Sequence, residues 1–275
     1  MGVLLGSLCA ICIGVSDLFA RVTMRKATVL ATTVSLQLLA ILTSGVAVLV
    51  FGGVFHSRDL IIGLVSGGGI GAGLLLYYAG LHRSTATIVS PTAAVVQAVI
   101  TFGYAALRGE PPSRLASISA VVAGIGLLLV TVGGHGKAGN PRAGLMLGAL
   151  SGLAYGFGFS IVIEAASDAG AWPALGQRLT AAVLLATLAV SRRGPLLPPR
   201  STALTALAMG VIAGLSTISY VAGLRYDAAG AVVTASMFPA TSVAGGYLAF
   251  RDPVSRRQLV GLAVVLIGIG GVAAG

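Results

Sequence analysis

Long apolar runs alternate with short polar breaks from residue 2 to residue 274. The runs lie near 2–20, 29–54, 60–81, 85–107, 115–134, 143–163, 172–191, 201–224, 228–250 and 258–274. Their length decides what they are. A helix rises about 1.5 Å per residue, so roughly 20 apolar residues cross a hydrocarbon core about 30 Å thick. The pattern predicts an all-α integral membrane protein with ten transmembrane helices.

Composition agrees, since 56% of the residues are hydrophobic, 9% are charged, 40 are glycine and the mean hydropathy is +1.00. In a soluble protein the net charge of +10 would suggest nucleic acid. Here Lys and Arg gather in the breaks, so they read as topology signals, and the expected partner is a lipid bilayer and no nucleic acid. Twelve of them fall in odd-numbered breaks and four in even-numbered ones. The positive-inside rule then sets the odd breaks in the cytoplasm and both termini outside.

Three further features narrow the chemistry. The first run lacks a charged leader and has Asp17 and Arg21 where a signal-peptidase site would fall, so it reads as a retained helix. Cys9 and Cys12 lie one helical turn apart within that run, while His56, His82 and His135 all lie in breaks. The cysteines therefore read as packing residues, with no metal and no cofactor expected.

The chain repeats itself after about 142 residues. GVLLGSLCAICIGVS (2–16) lies over GLMLGALSGLAYGFG (144–158) without a gap, matching Gly6 and Gly14 to Gly148 and Gly156. Gly67 and Gly71 map onto Gly210 and Gly214, and GEPPS (109–113) onto RDPVS (251–255). A unit of five spans is odd, so the second copy enters the membrane from the opposite side. The expectation is two inverted five-helix repeats, 1–137 and 138–275. Inverted repeats commonly build secondary transporters with a solute site near the midplane between the halves. The recurring glycines, Gly6, Gly14, Gly67, Gly71, Gly148, Gly156, Gly210 and Gly214, are expected at helix contacts, because small residues let backbones approach where lipid supplies no hydrophobic drive.

The stretches GVSDLFAR (14–21), YYAGLHRSTATIVSP (77–91), GEPPS, GAWPALGQRLTA (170–181) and SMFPATSV (236–243) together resemble the drug/metabolite transporter superfamily, in its ten-helix proteins with two EamA-type domains. The departures are RDPVS, where the family more often has Gly-Glu, and Gln97, where the second copy has Pro239. The resemblance implies a protein moving amino acids, metabolites or drug-like compounds, with export favoured; the spans and the lack of an organelle address set the expected location as a bacterial plasma membrane, multi-pass. It also implies both termini inside, against the charge count.

A charge at the centre of a bilayer helix costs about 2.5–3.5 kcal/mol, so each one inside a run needs a partner or a cavity. Arg178 is the clearest case, and Asp17 is the acid nearest a span's interior. These two could pair, or meet opposite ends of a zwitterion, with Asp17 taking a proton or a cationic group and Arg178 a carboxylate. A snorkelling Arg178 and an interfacial Asp17 neutralised by Arg21 are the plainer alternatives. Ser16, Gln37, Tyr78, Gln97, Tyr155, Gln177 and Tyr220 complete the candidate lining, the three glutamines foremost because their amides need partners within a span.

No nucleotide loop, HExxH pair or GxSxG elbow occurs, which speaks against a pump or an intramembrane enzyme. The expected function is a secondary active transporter of a small organic solute, with a proton or other ion as coupling partner and no oligomer required. The competing reading is a non-transporting scaffold or receptor.

Overall fold

The computed structural model describes residues 1–84, 86–108, 113–131, 140–251 and 254–274. With no water in the hydrocarbon, each backbone N–H and C=O must be satisfied within its own segment or a closed barrel. The chain takes the first route, being 85% helical with no strand among the described residues. The helices are α1 (Gly2–Thr23), α2 (Val29–Phe51), α3 (Ser57–Arg83), α4 (Ala86–Arg108), α5 (Arg114–Thr131), α6 (Pro141–Ile161), α7 (Trp172–Ser191), α8 (Ala203–Leu224), α9 (Ala228–Ala235), α10 (Phe238–Phe250) and α11 (Arg256–Ala274).

Among the described residues, seven segments are long and apolar enough to cross a membrane, where the hydropathy pattern predicts ten. The runs near 85–107 and 115–134 contain the shorter apolar helices Thr92–Arg108 and Arg114–Leu129. The run 228–250, expected as one helix, is broken at Ser236 and Met237 into α9 and α10. Pro239, which has no N–H to give an i−4 carbonyl, sits in the first turn of α10, where that lack costs nothing. The repeat sets Gln97 at the equivalent position, and α4 runs through it unbroken.

Side-chain caps fix several helix starts. Thr28 Oγ1 accepts from Ala31 N at 3.2 Å, Asn140 Oδ1 from Ala143 N at 3.1 Å and Asp227 Oδ1 from Gly230 N at 2.9 Å. Ser113 caps α5 through Ala116 N at 3.0 Å, and its repeat equivalent Ser255 caps α11 through Gln258 N at 3.3 Å. The rest of the GEPPS turn, and Asp252 and Pro253 of RDPVS, lie outside the described residues.

Packing runs mainly between the two halves. α1 lies on α8, α9 and α10; α2 on α7 and α8; α3 on α6 and α7; α4 on α6; and α5 on α11. Shifting every element by five spans returns the same set of pairs. The ridge glycines mark these seams. A Cβ added at Gly6 or Gly14 would overlap α9 or α10, at Gly148 or Gly156 it would meet α4, at Gly67 or Gly71 α7, and at Gly210 or Gly214 α2. Hydroxyls tie the same seams by donating to backbone carbonyls of the facing helix: Thr241 to Ala10 at 2.7 Å, Ser151 to Gly73 at 2.8 Å and Ser16 to Met209 at 3.0 Å.

Candidate functional site: a cavity between the halves

A cavity of about 150 Å³ lies where α1, α2, α3 and α4 meet α6, α7, α8 and α10. The sequence candidates Ser16, Asp17, Gln37 and Gln97 line it from the first half, and Tyr155, Gln177 and Arg178 from the second. Tyr77, Ser216, Thr217 and Cys9 add polar atoms, and Ile13, Leu36, Ile70, Leu74, Phe159 and Phe238 supply most of the apolar wall. Tyr78's side chain lies outside the described residues.

Tyr220 is not among the lining residues. It is fully buried, and its hydroxyl donates to Phe159 O at 3.0 Å while its ring meets the Phe159 ring edge-on, with centroids 4.9 Å apart. A tyrosine within a span needs a partner for its hydroxyl, and here a backbone carbonyl supplies it.

Arg178 does not snorkel to an interface. It is 7% exposed. Nη1 donates to Gln37 Oε1 at 2.9 Å, and Nη2 donates to Ala213 O at 2.6 Å and to Thr217 Oγ1. Nε is buried and has no partner. Among the described residues, no carboxylate lies within ion-pair distance of this guanidinium.

Asp17 is held separately. Its Oδ2 accepts from Ser242 Oγ at 2.9 Å, and the residue is exposed toward the cavity. Asp17 and Arg178 therefore share one cavity without forming a pair. Gln177, beside Arg178, turns to another partner: its Nε2 donates to Ser66 Oγ at 2.7 Å, and Ser66 donates on to Gly158 O at 2.5 Å. Ser66, Thr217 and Phe159 were missed in the sequence, where a serine inside the glycine tract SGGGIGAG carries no distinguishing signal.

Asp17 and Tyr77 stand within the last two turns of α1 and α3, so the lining reaches toward the ends of those helices. At the opposite end Phe159, its ring edge-on to that of Tyr220, forms an apolar floor, and Val162, Ala174 and Val221 make a separate buried cluster. Beyond them the 52–57 and 162–171 connections interlock. Val54 N donates to Asp168 O at 2.9 Å, Phe55 packs edge-on against Trp172 at 4.7 Å, and Ala166 N donates to Asp59 Oδ1 at 3.1 Å. Gly170, at φ +61°, is pressed against Gly52 O so closely that a side chain would not fit. Arg108 and Tyr104 of α4 both bond the Glu164 carboxylate, the tyrosine at 2.7 Å, and Arg225 Nη2 reaches Gly170 O at 2.8 Å.

The model of the EamA-like transporter family, of the drug/metabolite transporter superfamily, matches residues 142–274, just under half of the chain. No curated protein matches the chain. Among solved structures 28 chains match. One, described only as the crystal structure of a protein, is 17% identical with a TM-score of 0.79, over 99% of this chain and 98% of that one. That likeness shows the fold.

Proposed function

We propose that the protein is a secondary active transporter of a small organic solute, working by alternating access about the cavity between its halves. The observation that carries the reading is the cavity's dual lining. Polar groups from both halves converge there, and Arg178 of the second half is bonded to Gln37 of the first. A rocking motion of one half against the other would open and close such a site without building a new one.

The ten-span, inverted-repeat architecture, with repeats at 1–137 and 138–275, belongs to the same proposal. It is supported by the exchange of packing partners on a five-span shift, by the equivalent caps Ser113 and Ser255, and by the glycine pairs at the seams. Asp17 is the proposed site for a coupling proton or cation. We take the apolar floor and the interlocked connections as the sealed side of one state in the cycle. Export is the direction we favour, on the family resemblance, and a bacterial plasma membrane the location, on the spans and the lack of an organelle address.

Counterflow in proteoliposomes tests the function. Vesicles preloaded with one candidate solute at high concentration should take up its labelled form transiently and saturably. Flat traces for amino acids, organic cations and sugars alike would leave a scaffold or receptor as the better reading.

A further inference from the structure

Arg178 brings a full positive charge into a region built from apolar helix faces, and its polar partners are all neutral. Gln37 Oε1, Ala213 O and Thr217 Oγ1 each accept one hydrogen bond, yet none carries charge to balance the guanidinium. Desolvating an isolated ion costs several kcal/mol unless an opposite charge meets it. The acid that shares the cavity, Asp17, is bonded to Ser242 instead.

The donor count points the same way. A guanidinium has five N–H donors. Both on Nη2 and one on Nη1 are engaged, which leaves the second Nη1 hydrogen and the Nε hydrogen, and Nε is buried without a partner. The residue is more than nine-tenths buried and borders the cavity. The Nε hydrogen lies on the Nη2 side of the guanidinium and forms no fork with Nη1, so an anion in the cavity meets Arg178 through its charge and the free Nη1 hydrogen. The same cavity is lined by Ile13, Leu36, Ile70, Leu74 and Phe238, which give it an apolar wall. A void of roughly this size takes a molecule of about six carbons.

We infer that the solute is a small organic carboxylate with an apolar body, its carboxylate neutralising Arg178 and its body lying against the apolar wall. The inference rests on the transporter reading and deepens it. Gln37 and Thr217 orient the guanidinium in this arrangement, and Arg178 supplies the charge and one hydrogen-bond donor.

A matched ligand series on the purified full-length chain in detergent tests it by thermal unfolding, since a ligand that binds the native state raises apparent stability by mass action. The probes are 4-methylpentanoate, leucine, leucinamide and 3-methylbutylamine, with sodium sulfate as a bare-anion control. Both carboxylates should raise Tm by a few degrees and the other three should not. Arg178→Gln should weaken carboxylate binding about 10- to 100-fold, the worth of a hydrogen bond to a charged group, and Arg178→Lys should restore only part of it. Protection by leucinamide or 3-methylbutylamine as strong as by leucine would overturn the inference. So would protection by sulfate equal to that by the carboxylates, or no protection by either carboxylate. The wild-type series needs no variant to fold. Counterflow separates the two readings: carboxylates that bind but show no counterflow refute transport and leave the site standing, whereas counterflow confined to solutes lacking a carboxylate refutes the site and leaves transport standing.

Discussion

Arg178 Nη1 donates a 2.9 Å hydrogen bond to Gln37 Oε1, across 141 residues of sequence and across the seam between α7 and α2. The bond holds a charged group in place with a neutral one, so the charge remains available.

Replacing that neutral partner by an acid should use the charge up. Gln37→Glu sets a carboxylate against Arg178 inside the protein, giving the buried cation an internal counter-ion. The unliganded variant should unfold a few degrees above wild type, while its affinity for carboxylate solutes should fall at least tenfold. Thermal scans with and without 4-methylpentanoate check both halves.

Seam glycines and open glycines should respond in opposite directions to the same methyl group. At Gly67 a Cβ would run into the Gln177 carbonyl, a backbone atom that cannot swing aside. Gly67→Ala should cost about 1–3 kcal/mol through overpacking. Gly45, in α2, has nothing within 4 Å of the added atom. Gly45→Ala should be neutral or should stabilise by about 0.5–1 kcal/mol from helix propensity. Denaturation of the two variants in one detergent reads the difference.

Arg108 ties α4 to the turn after α6 through Glu164, just outside the apolar floor of the cavity. Arg108→Gln should loosen this side. A cysteine at Leu224, a partly buried residue packed on the floor clusters, should then react with a maleimide several-fold faster than in the parent, both in a background with Cys9 and Cys12 replaced. An unchanged rate would mean that the floor stays shut without the Glu164 contacts.

If Asp17 carries the coupling proton, removing its charge should separate exchange from driven transport. Asp17→Asn should retain solute counterflow but lose accumulation driven by a pH gradient, because exchange needs no net proton movement. Uptake with and without an imposed gradient in the same vesicles makes the comparison. Equal driven accumulation in variant and wild type would assign coupling elsewhere.

Seven of the ten expected spans stand out by run length, because a helix satisfies its own backbone and is one of the two ways to cross a hydrocarbon solvent. The polar candidates were legible for a related reason: Gln37, Gln97, Gln177 and Arg178 are costly inside a span, so each must meet a partner or a cavity. What each one meets is a different matter. Gln37 and Arg178 stood out separately, but the bond between them depends on α2 lying beside α7. The glycine spacing tells only that some backbone comes close there, not which one. Tyr220 misled because its hydroxyl is satisfied by a carbonyl, and carbonyls occur at every residue. The break between α9 and α10 was written in Pro239 all along, yet hydropathy passes smoothly across it.

Because α1, α2, α3 and α4 find most of their neighbours among α6 to α10, the nascent chain faces an assembly problem. As α1 to α4 leave the ribosome, the surfaces around Gly6, Gly14, Gly67 and the Ser66 hydroxyl have lipid in place of their partners. They gain those partners only as α6 to α10 are made. The first half must therefore wait in the bilayer, inserted but unassembled, and a stop in translation before residue 141 would strand helices with much of their interior facing outward.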